Sequence, residues 1–329
     1  MNYFKYINLI VFTWALEALD KEPQETIDFA VGGQAVVEGV MMRSPNNIAI
    51  AVRKPKGEIA MKKYPFQTLT QKHRWLNVPI LRGVVNLFEM MLVGTTAINY
   101  SANESIEEEL KETRKETKLS KFIEIVMFIV SFIIAIALSI ALFKFTPLWI
   151  TTFLQEKVPY VKENYIIFNL IDGILKALIF VGYISLLTLA KSFRRIFEYH
   201  GAEHKSIFTY ENKLPLTPEN AAKQTRFHPR CGTSFIIIVF VISIIVYTFV
   251  PKQENFWTNL SLRLAFLPII AGISYEYLKI SAKHANNFFV KMMIEPGLLF
   301  QKLTTKEPDT HQLEVGLKSL SDILEMEKS

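Results

Sequence analysis

The chain has a single cysteine, Cys231, among its 329 residues. One thiol excludes an intramolecular disulfide framework and any zinc or redox motif that is built on a CxxC pair. The first twenty residues lack the basic start, apolar core and small-residue cleavage site of a secretory signal peptide. Internal repeats and low-complexity tracts are also missing. With 50% hydrophobic and 12% aromatic residues, the composition excludes a disordered chain, because it is rich enough in apolar side chains to bury a core.

The apolar residues are concentrated in long runs that charged stretches separate. A helix of about 20 apolar residues crosses the ~30 Å hydrocarbon core of a membrane. Four runs meet or approach this length, at 122–143, 166–190, 234–250 and 260–280. The sequence therefore predicts an α-helical integral membrane protein with about four transmembrane helices, the last of them kinked at Pro268.

Basic residues flank these runs unevenly. Lys and Arg are abundant before the first run, between the second and third, and after the fourth, whereas the other two connections hold few. Cytoplasmic loops carry such an excess, so both termini and the loop at 191–233 are predicted to be cytoplasmic. The net charge of +6 thus indicates topology and contact with a lipid bilayer. A nucleic-acid partner is not expected, because aromatic and basic residues are not interleaved as in RNA-binding motifs.

The N-terminal part is predicted to hold two units. Residues 1–25 include an interfacial helix at 5–18, which is too short to span a membrane. Residues 26–78 form a small β domain, because turn residues separate segments rich in Val and other apolar residues. Its strands are predicted at 27–31, 34–42, 47–53 and 58–63, giving a small antiparallel sheet.

Residues 79–120 are predicted to form two helices, an amphipathic one at 79–100 and a charged one at 101–120. In the first, polar positions recur at helical spacing, at Arg82, Asn86 and Glu89. This pattern favours a helix that lies on the membrane or packs on the bundle, with a fifth span or a re-entrant hairpin as the alternative.

The remainder divides into a membrane domain at 121–295 and a cytoplasmic tail at 296–329. Asp309 is predicted to cap an amphipathic helix in the tail. Its apolar stripe consists of Leu313, Leu317, Leu320, Ile323 and Leu324.

Three of the six histidines lie between 200 and 228, close to the single cysteine. His200 and His204 are four residues apart with Glu203 between them, in the H-x-x-E-H order of the inverted zincins. On a helix both imidazoles lie on one face and reach one metal ion. Glu203 is then placed to accept a proton from an attacking water.

Two ligand sets remain for a divalent metal, with zinc favoured by the donor types. One is His200, His204 and Glu276, since the fourth run returns to the same membrane face near Glu276. The other combines the two histidines with His228 or Cys231, which directly precede the third run. Cys231 and Glu276 also have interpretations without a metal. Cys231 is then a small buried residue before an apolar run, and Glu276 caps a helix or pairs with a nearby lysine.

Two other charged features have competing interpretations. Arg230 is placed to hold a carboxylate, a phosphate or a lipid headgroup, or it acts as a simple membrane anchor. Asp172 and Lys176 lie four residues apart inside the second run. Charges within a membrane suggest function, but a self-neutralising structural pair is the favoured interpretation.

Five blocks of the chain resemble the YqhQ-like family of bacterial multi-pass membrane proteins. They are GGQAVVEGVMMRSP (32–45), EYHGAEHKSI (198–207), LTPENAAKQTRFHPRCGTSF (216–235), LPIIAGISYE (267–276) and PGLLFQKLTTKEPDTHQLEV (296–315). The resemblance covers nearly the whole chain from about residue 30. It implies a metal-dependent enzyme in the inner or plasma membrane of a bacterium. It marks the block at 304–308 and these residues: Gln34, Glu38, Arg43, His200, Glu203, His204, His228, Arg230, Cys231 and Glu276.

Three functions are compatible with these patterns. The favoured one is a zinc-dependent hydrolase at the cytoplasmic membrane face, with Glu203 as general base and Arg230 steadying an anionic part of a membrane-protein or lipid-linked substrate. The alternative is a non-catalytic factor for membrane-protein biogenesis or a scaffold, in which the His/Cys cluster holds a structural metal or is a hydrogen-bonded knot. A transporter with Asp172, Lys176 and Glu276 along its path is least favoured, because no inverted repeat is evident.

Overall fold

The computed structural model of the chain describes residues 31–106, 118–250, 253–283 and 288–328. Within these ranges the protein is mostly helical, with one four-stranded sheet near the N-terminus. The interfacial helix predicted at 5–18, and most of the charged helix predicted at 101–120, lie outside the described residues.

The sheet is an antiparallel meander in the order β1–β2–β3–β4. Its strands are β1 Gly32–Val36, β2 Gly39–Arg43, β3 Asn47–Arg53 and β4 Ile59–Pro65. The antiparallel β unit is therefore confirmed, but the single strand predicted at 34–42 is wrong. A tight turn divides it because Glu38 adopts a φ of 51°, and the carbonyl of Glu38 accepts a hydrogen bond from the Arg53 amide at 2.8 Å.

Thirteen helices follow the sheet in the described residues. In chain order they are α1 Leu69–Lys72, α2 Leu81–Glu104, α3 Lys118–Ile140, α4 Thr146–Lys157, α5 Pro159–Glu163, α6 Tyr165–Leu187, α7 Lys191–Glu211, α8 Pro218–Ala222, α9 Gly232–Thr248, α10 Phe256–Ala265, α11 Leu267–Lys283, α12 Phe288–Thr304 and α13 Thr310–Lys328. A 3₁₀ turn at Arg74–Leu76 follows α1, and a π-helical turn at Ala141–Phe145 joins α3 to α4.

Four helical segments of the described chain are long and apolar enough to cross a membrane. They are Leu81–Glu104, Val126–Lys157, Tyr165–Leu187 and Phe256–Ser281. The last three overlap the predicted runs at 122–143, 166–190 and 260–280, and the first is α2. The run predicted at 234–250 forms α9, a shorter apolar helix of 17 residues. The helical segment at 256–281 is interrupted at Phe266, between α10 and α11 and two residues before Pro268, and the kink itself stays a prediction.

The sheet is covered on both faces, so it forms the middle layer of a helix–sheet–helix arrangement. Val93 and Ala97 of α2 pack on one face, which carries Val36, Met41, Ile48, Ile50 and Val52. Helices α7 and α13 pack on the other face, which carries Val40, Met42, Ala49 and Ala51. This arrangement places α7 directly beside β1.

The tail helix α13 has the predicted cap and apolar stripe. The Asp309 carboxylate accepts a hydrogen bond from the Gln312 amide at 2.8 Å, which satisfies an N-terminal amide of the helix. All five stripe residues are buried, and burying each such side chain contributes about 1.5–3 kcal/mol. The C-terminal helix therefore completes the core of the N-terminal β domain.

The polar row of α2 faces the rest of the protein. Arg82 pairs with Glu276 of α11, and Asn86 donates a hydrogen bond to the Tyr275 hydroxyl at 2.9 Å. The second half of the helix packs on the sheet through Val93. Helix α2 is thus a packed helix, although it is also among those long enough to span a membrane.

Candidate metal centre

The candidate site is built on helix α7, which carries His200, Glu203 and His204 along one side. His204 and Glu203 are 1% and 4% exposed, and His200 is partly buried. The segment after α12 crosses the helix at Gly201, where a side chain would collide with the Lys306 carbonyl. The Lys306 amide donates a hydrogen bond to the Phe197 carbonyl at 2.8 Å. The block at 304–308 therefore lies against the helix that carries the histidines.

Both imidazoles are oriented by backbone carbonyls. His200 Nδ1 lies 2.8 Å from the Thr304 carbonyl oxygen, and His204 Nδ1 lies 2.6 Å from that of Arg226. A carbonyl only accepts hydrogen bonds, so each Nδ1 carries the proton and each Nε2 keeps a free lone pair. This is the arrangement in which metal-ligating histidines are held by an outer hydrogen bond.

Cys231 brings a third donor atom to the two histidines. It occupies the N-cap of α9 and is 8% exposed, and its Sγ lies 3.2 Å from His200 Nε2. Ligand atoms of His200, His204 and Cys231 all lie within 4.8 Å of one another. Two imidazole nitrogens and one thiolate at such separations fit a tetrahedral zinc ion, whose bonds to them measure about 2.0–2.3 Å.

The pKa shifts of His204 and Cys231 favour the protonation states that bind a metal ion. Burial lowers the pKa of His204, so its imidazole is neutral at pH 7 and able to donate a lone pair. His204 Nε2 is buried, and no described group forms a hydrogen bond with it. Burial alone would raise the pKa of Cys231, but its contacts with His204 and Thr233 bring the pKa below its usual value, which favours the thiolate.

Glu203 is a buried carboxyl next to this group. Burial raises its pKa to about 8, and its Oε2 has no hydrogen-bond partner in the described chain. The carboxyl lies against Gly33 of β1, where an added Cβ would approach Glu203 Cδ to 2.8 Å. The glycine thus makes room for the carboxyl between α7 and the sheet.

A cavity of about 310 Å³ lies beside β1 and shares Gly33 with this contact. Its remaining lining is Gly32, Met41, Arg43, Ser44, Pro45 and Met90. The guanidinium of Arg43 stacks over Phe66 at 5.2 Å from the ring centre. The cavity therefore combines apolar walls with one cationic group, and Gly33 is the lining residue that also contacts Glu203.

His228 lies beside the candidate site but has its own partners. Its Nε2 is 3.3 Å from a carboxylate oxygen of Glu211, and its Nδ1 accepts a hydrogen bond from the Arg230 amide at 3.3 Å. The Arg230 guanidinium pairs with the same Glu211 carboxylate. Burial would raise the pKa of Glu211, but these hydrogen bonds and charges bring the pKa below its usual value.

Glu276 lies elsewhere, on α11. Arg82 of α2 forms an ion pair with it, and the Ile80 amide donates a hydrogen bond to its carboxylate at 3.4 Å. Of the two ligand sets that the sequence left open, the structure thus brings together His200, His204 and Cys231. His228 lies next to this set, and Glu276 is engaged with a different helix.

Two other residues that the family resemblance marked, Glu38 and Gln34, connect the sheet to neighbouring helices. Glu38 accepts hydrogen bonds from Arg195 and from the Tyr199 hydroxyl, so the β1–β2 turn is tied to α7. The Gln34 carboxamide lies against Gly94 of α2. The sequence did not predict the close contacts of Gly33 and Gly201, nor the two carbonyls that orient the imidazoles. Both glycines lie inside the blocks that resemble the family, and this position was the only sign of their importance in the sequence.

The chain was compared with known protein families, curated proteins and solved structures. Residues 78–326 match a family model described as "Protein of unknown function (DUF1385)". The chain is 34% identical over 298 residues to "Uncharacterized protein YqhQ" of Bacillus subtilis (strain 168), covering 91% of this chain and 93% of that protein. No solved structure matches the chain.

Proposed function

The chain belongs to the DUF1385 family, and we propose that it is a zinc-dependent membrane hydrolase whose site is formed by His200, His204 and Cys231. The observation that carries the proposal is the buried Nε2 of His204. It has no hydrogen-bond partner in the described chain, while Nδ1 of the same ring is held by a carbonyl. A buried polar atom without a partner costs about 1–3 kcal/mol, and a cation shared with Cys231 would remove this cost.

Each residue has a distinct role in the proposed reaction. His200, His204 and Cys231 hold the zinc, which supplies Lewis-acid activation of water and of the substrate carbonyl or phosphoryl group. Glu203 accepts the proton of the attacking water at Oε2 and later returns it to the leaving group. Burial favours the protonated form of this carboxyl, and a cation held beside it would favour the ionised form that accepts a proton.

We place the anionic part of the substrate in the cavity beside Gly33, and its reacting group would extend past Gly33 to Glu203, because the cavity lining holds neither Glu203 nor a proposed zinc ligand. Because Arg230 is paired with Glu211, the group that meets an anionic part of the substrate is Arg43, which lines the cavity. Met41 and Met90 line its apolar part. A lipid-linked or peptide substrate with one anionic group fits this lining, and we place the site at the cytoplasmic face of a bacterial inner or plasma membrane.

The test is the metal content of the full chain, purified in a neutral detergent without chelators. Wild type is expected to carry stoichiometric zinc, and His204→Ala is expected to lose it. His311→Ala is the matched control, because the His311 side chain is 74% exposed and lies outside the group. Wild type without stoichiometric metal, or His204→Ala with unchanged metal, would overturn the proposal.

A second candidate is a non-catalytic scaffold or biogenesis factor in which the zinc is structural. The observation that favours it is the position of Cys231 at the N-cap of α9. A metal shared by Cys231 and the α7 histidines would tie these two helices together. In this case the Glu203 carboxylate would not be needed as a base, which separates the two functions experimentally.

A further inference from the structure

Helix α2 and the segment before it carry an apolar surface that the described chain leaves open. Its members are between 38% and 70% exposed, and we call them the α2 surface: Trp75, Val78, Leu81, Phe88, Met91 and Leu92. The last four have the spacing of one helix face. Neighbouring large apolar side chains that are this exposed mark a surface that binds another protein or a membrane.

The other side of the same helix is closely packed along its length. In the first half, an added Cβ at Gly83 would come within 2.8 Å of Tyr275 Cβ on α11. In the second half, Val93 packs on the sheet, and the Ser101 hydroxyl accepts a hydrogen bond from the Val37 amide at 3.2 Å. Helix α2 therefore has one face fixed to the protein and one face open.

This packing leaves too little of α2 to cross a membrane, although the length and composition of the helix alone would allow it. The sheet is open, with β4 at one edge, and open sheet edges do not occur in hydrocarbon because their backbone groups would lack partners. The half of α2 that packs on the sheet, at 93–104, therefore lies outside the hydrocarbon core. The other half, at 81–92, is about 18 Å long, whereas the core is ~30 Å thick.

The charges beside this apolar surface are basic. Lys72 and Arg74 are exposed and directly precede Trp75. The one acidic residue at 69–92 is Glu89, which is buried and accepts a hydrogen bond from the Leu69 amide at 3.0 Å. Tryptophan next to exposed lysine and arginine is typical of protein segments at the headgroups of anionic lipids.

We propose that residues 69–92 bind an anionic lipid bilayer, so that α2 lies along the membrane surface instead of crossing it. The α2 surface enters the acyl-chain region while Lys72 and Arg74 meet lipid phosphates, which is how interfacial amphipathic helices bind membranes. The position of α2 agrees with this arrangement. Its Gly83 packs against Gly272 and Tyr275 of α11, near the end of the candidate span Phe256–Ser281, where a spanning helix reaches the headgroups.

Lipid bound at this surface would lie close to the cavity beside Gly33. Met90 of α2 lines that cavity and is the direct neighbour of Met91 in the α2 surface. Binding of lipid here needs neither zinc nor a reaction, so its tests are independent of the proposed function.

The orientation of α2 is tested with cysteines introduced at exposed positions, Lys56→Cys in the β3–β4 hairpin and Asn99→Cys in the second half of α2. A membrane-impermeant maleimide is applied to right-side-out and to inside-out membrane vesicles. Both cysteines are expected to react from the same side, because α2 does not cross between them. Wild type gives the background, since Cys231 is 8% exposed. Reaction from opposite sides would show that α2 spans the membrane and would overturn the proposal.

Lipid contact is tested by the fluorescence of Trp75 in the full chain, reconstituted into equimolar vesicles of phosphatidylcholine and phosphatidylglycerol. In one preparation the phosphatidylcholine carries bromine, a fluorescence quencher, near the start of its acyl chains, and in the other the phosphatidylglycerol does. The difference between wild type and Trp75→Phe isolates Trp75 from the other tryptophans. Quenching of Trp75 is expected in both preparations, and it should be stronger when phosphatidylglycerol is the brominated lipid.

A double variant shows whether the basic residues select the anionic lipid. Lys72→Gln/Arg74→Gln should keep the quenching of Trp75 but lose the preference for phosphatidylglycerol, by up to about fivefold for each charge removed. Lys157→Gln/Lys162→Gln is the matched control, because both lysines are exposed and lie outside the segment. An unquenched Trp75, as for a face covered by a second copy or another protein, would overturn the proposal. Equal quenching by the two brominated lipids in wild type, or an unchanged preference in the double variant, would also overturn it.

Discussion

Two buried polar clusters of this protein differ in how their polar groups are partnered. Around His200, His204 and Cys231, the buried atoms without a hydrogen-bond partner in the described chain are His204 Nε2, Glu203 Oε2 and Thr304 Oγ1. In the second cluster, Asp172 Oδ2 of α6 accepts hydrogen bonds from Lys176 of the same helix and from Arg263 of α10, and Asp172 Oδ1 has no partner in the described chain. The first cluster, the cation site, lacks a partner for its nitrogen and sulfur ligands, whereas the second, the Asp172 cluster, supplies its own counter-charges.

A buried polar group without a ligand in view is therefore interpreted from the atoms that have no partner. Buried polar atoms are nearly always paired, so the chemical type of an unpartnered atom indicates the type of missing partner. Imidazole and thiolate lone pairs point to a metal ion at the cation site, whereas Lys176 and Arg263 of the Asp172 cluster already share a carboxylate.

The largest effect is expected from Glu203→Gln at the cation site. Loss of a general base lowers rates by about 10²–10⁴-fold, so this variant should fail to complement a deletion strain while keeping its zinc. Glu198→Gln is the control, because this carboxylate of the same helix binds Gln312 at 3.0 Å. Full complementation by Glu203→Gln with metal retained would favour the structural role of the zinc.

Asp172→Asn tests whether the Asp172 cluster supplies its own counter-charges. Removing the carboxylate leaves buried Lys176 and Arg263 without an acidic partner and should cost about 3–5 kcal/mol of unfolding free energy, measured by denaturant unfolding.

Asp322 provides the contrast for that experiment. This buried carboxylate of α13 also meets two lysines, but Lys63 and Lys318 are 38% and 50% exposed. Their ammonium groups can return to water, so Asp322→Asn should cost less unfolding free energy than Asp172→Asn. Equal losses in the two variants would remove the distinction between the clusters.

Gly33→Ala tests the contact between the sheet and the cation site. The new Cβ would lie 2.8 Å from Glu203 Cδ and Cγ, and overpacking of this kind costs about 1–3 kcal/mol. Gly32→Ala is a matched control, because an added Cβ there meets nothing within 4 Å. A lower Tm is expected for Gly33→Ala alone.

The smallest effect is expected from Glu211→Gln, which tests the boundary of the cation site. Burial would raise the pKa of Glu211, but its hydrogen bonds and charge interactions with His228 and Arg230 hold the pKa below the ordinary value of 4.5. The stabilisation that follows is therefore present above pH 4.5 and is lost as the pH falls through the lower folded-state pKa. Glu211→Gln should lose about 1 kcal/mol at pH 7 and should show a flatter acid limb in unfolding measurements.

The control for this variant is Glu58→Gln, an exposed carboxylate in the β3–β4 hairpin. The zinc content of Glu211→Gln should be unchanged, because Glu211 binds His228 and Arg230 and none of the three proposed ligands. Loss of metal in this variant would make His228 part of the metal centre.

Much of the candidate site was predictable, because its chemistry is local in the chain. The spacing of His200, Glu203 and His204 on one helix needs only the period of an α-helix. The choice between Cys231 and Glu276 was not predictable, since both lie near the predicted membrane face. Arg82 engages Glu276, and this contact depends on how α2 packs against α11.

The Asp172 cluster shows the opposite case. The sequence suggested a neutral pair of Asp172 and Lys176, because these residues are one turn apart. Arg263 lies in a different apolar run, so no local pattern connects it with Asp172. Its hydrogen bond to Asp172 exists only once the helices are packed.

The sequence by itself determined the apolar helices, the antiparallel strands of the hairpin, the capped tail helix and the imidazole spacing. These features follow from periodicity and from contacts within a few residues. The tertiary structure decided which donors meet: Cys231 with the histidines, Glu203 with Gly33, and Arg263 with Asp172. Such contacts join residues that are far apart in the chain, and only the packing of helices and sheet brings their side chains together.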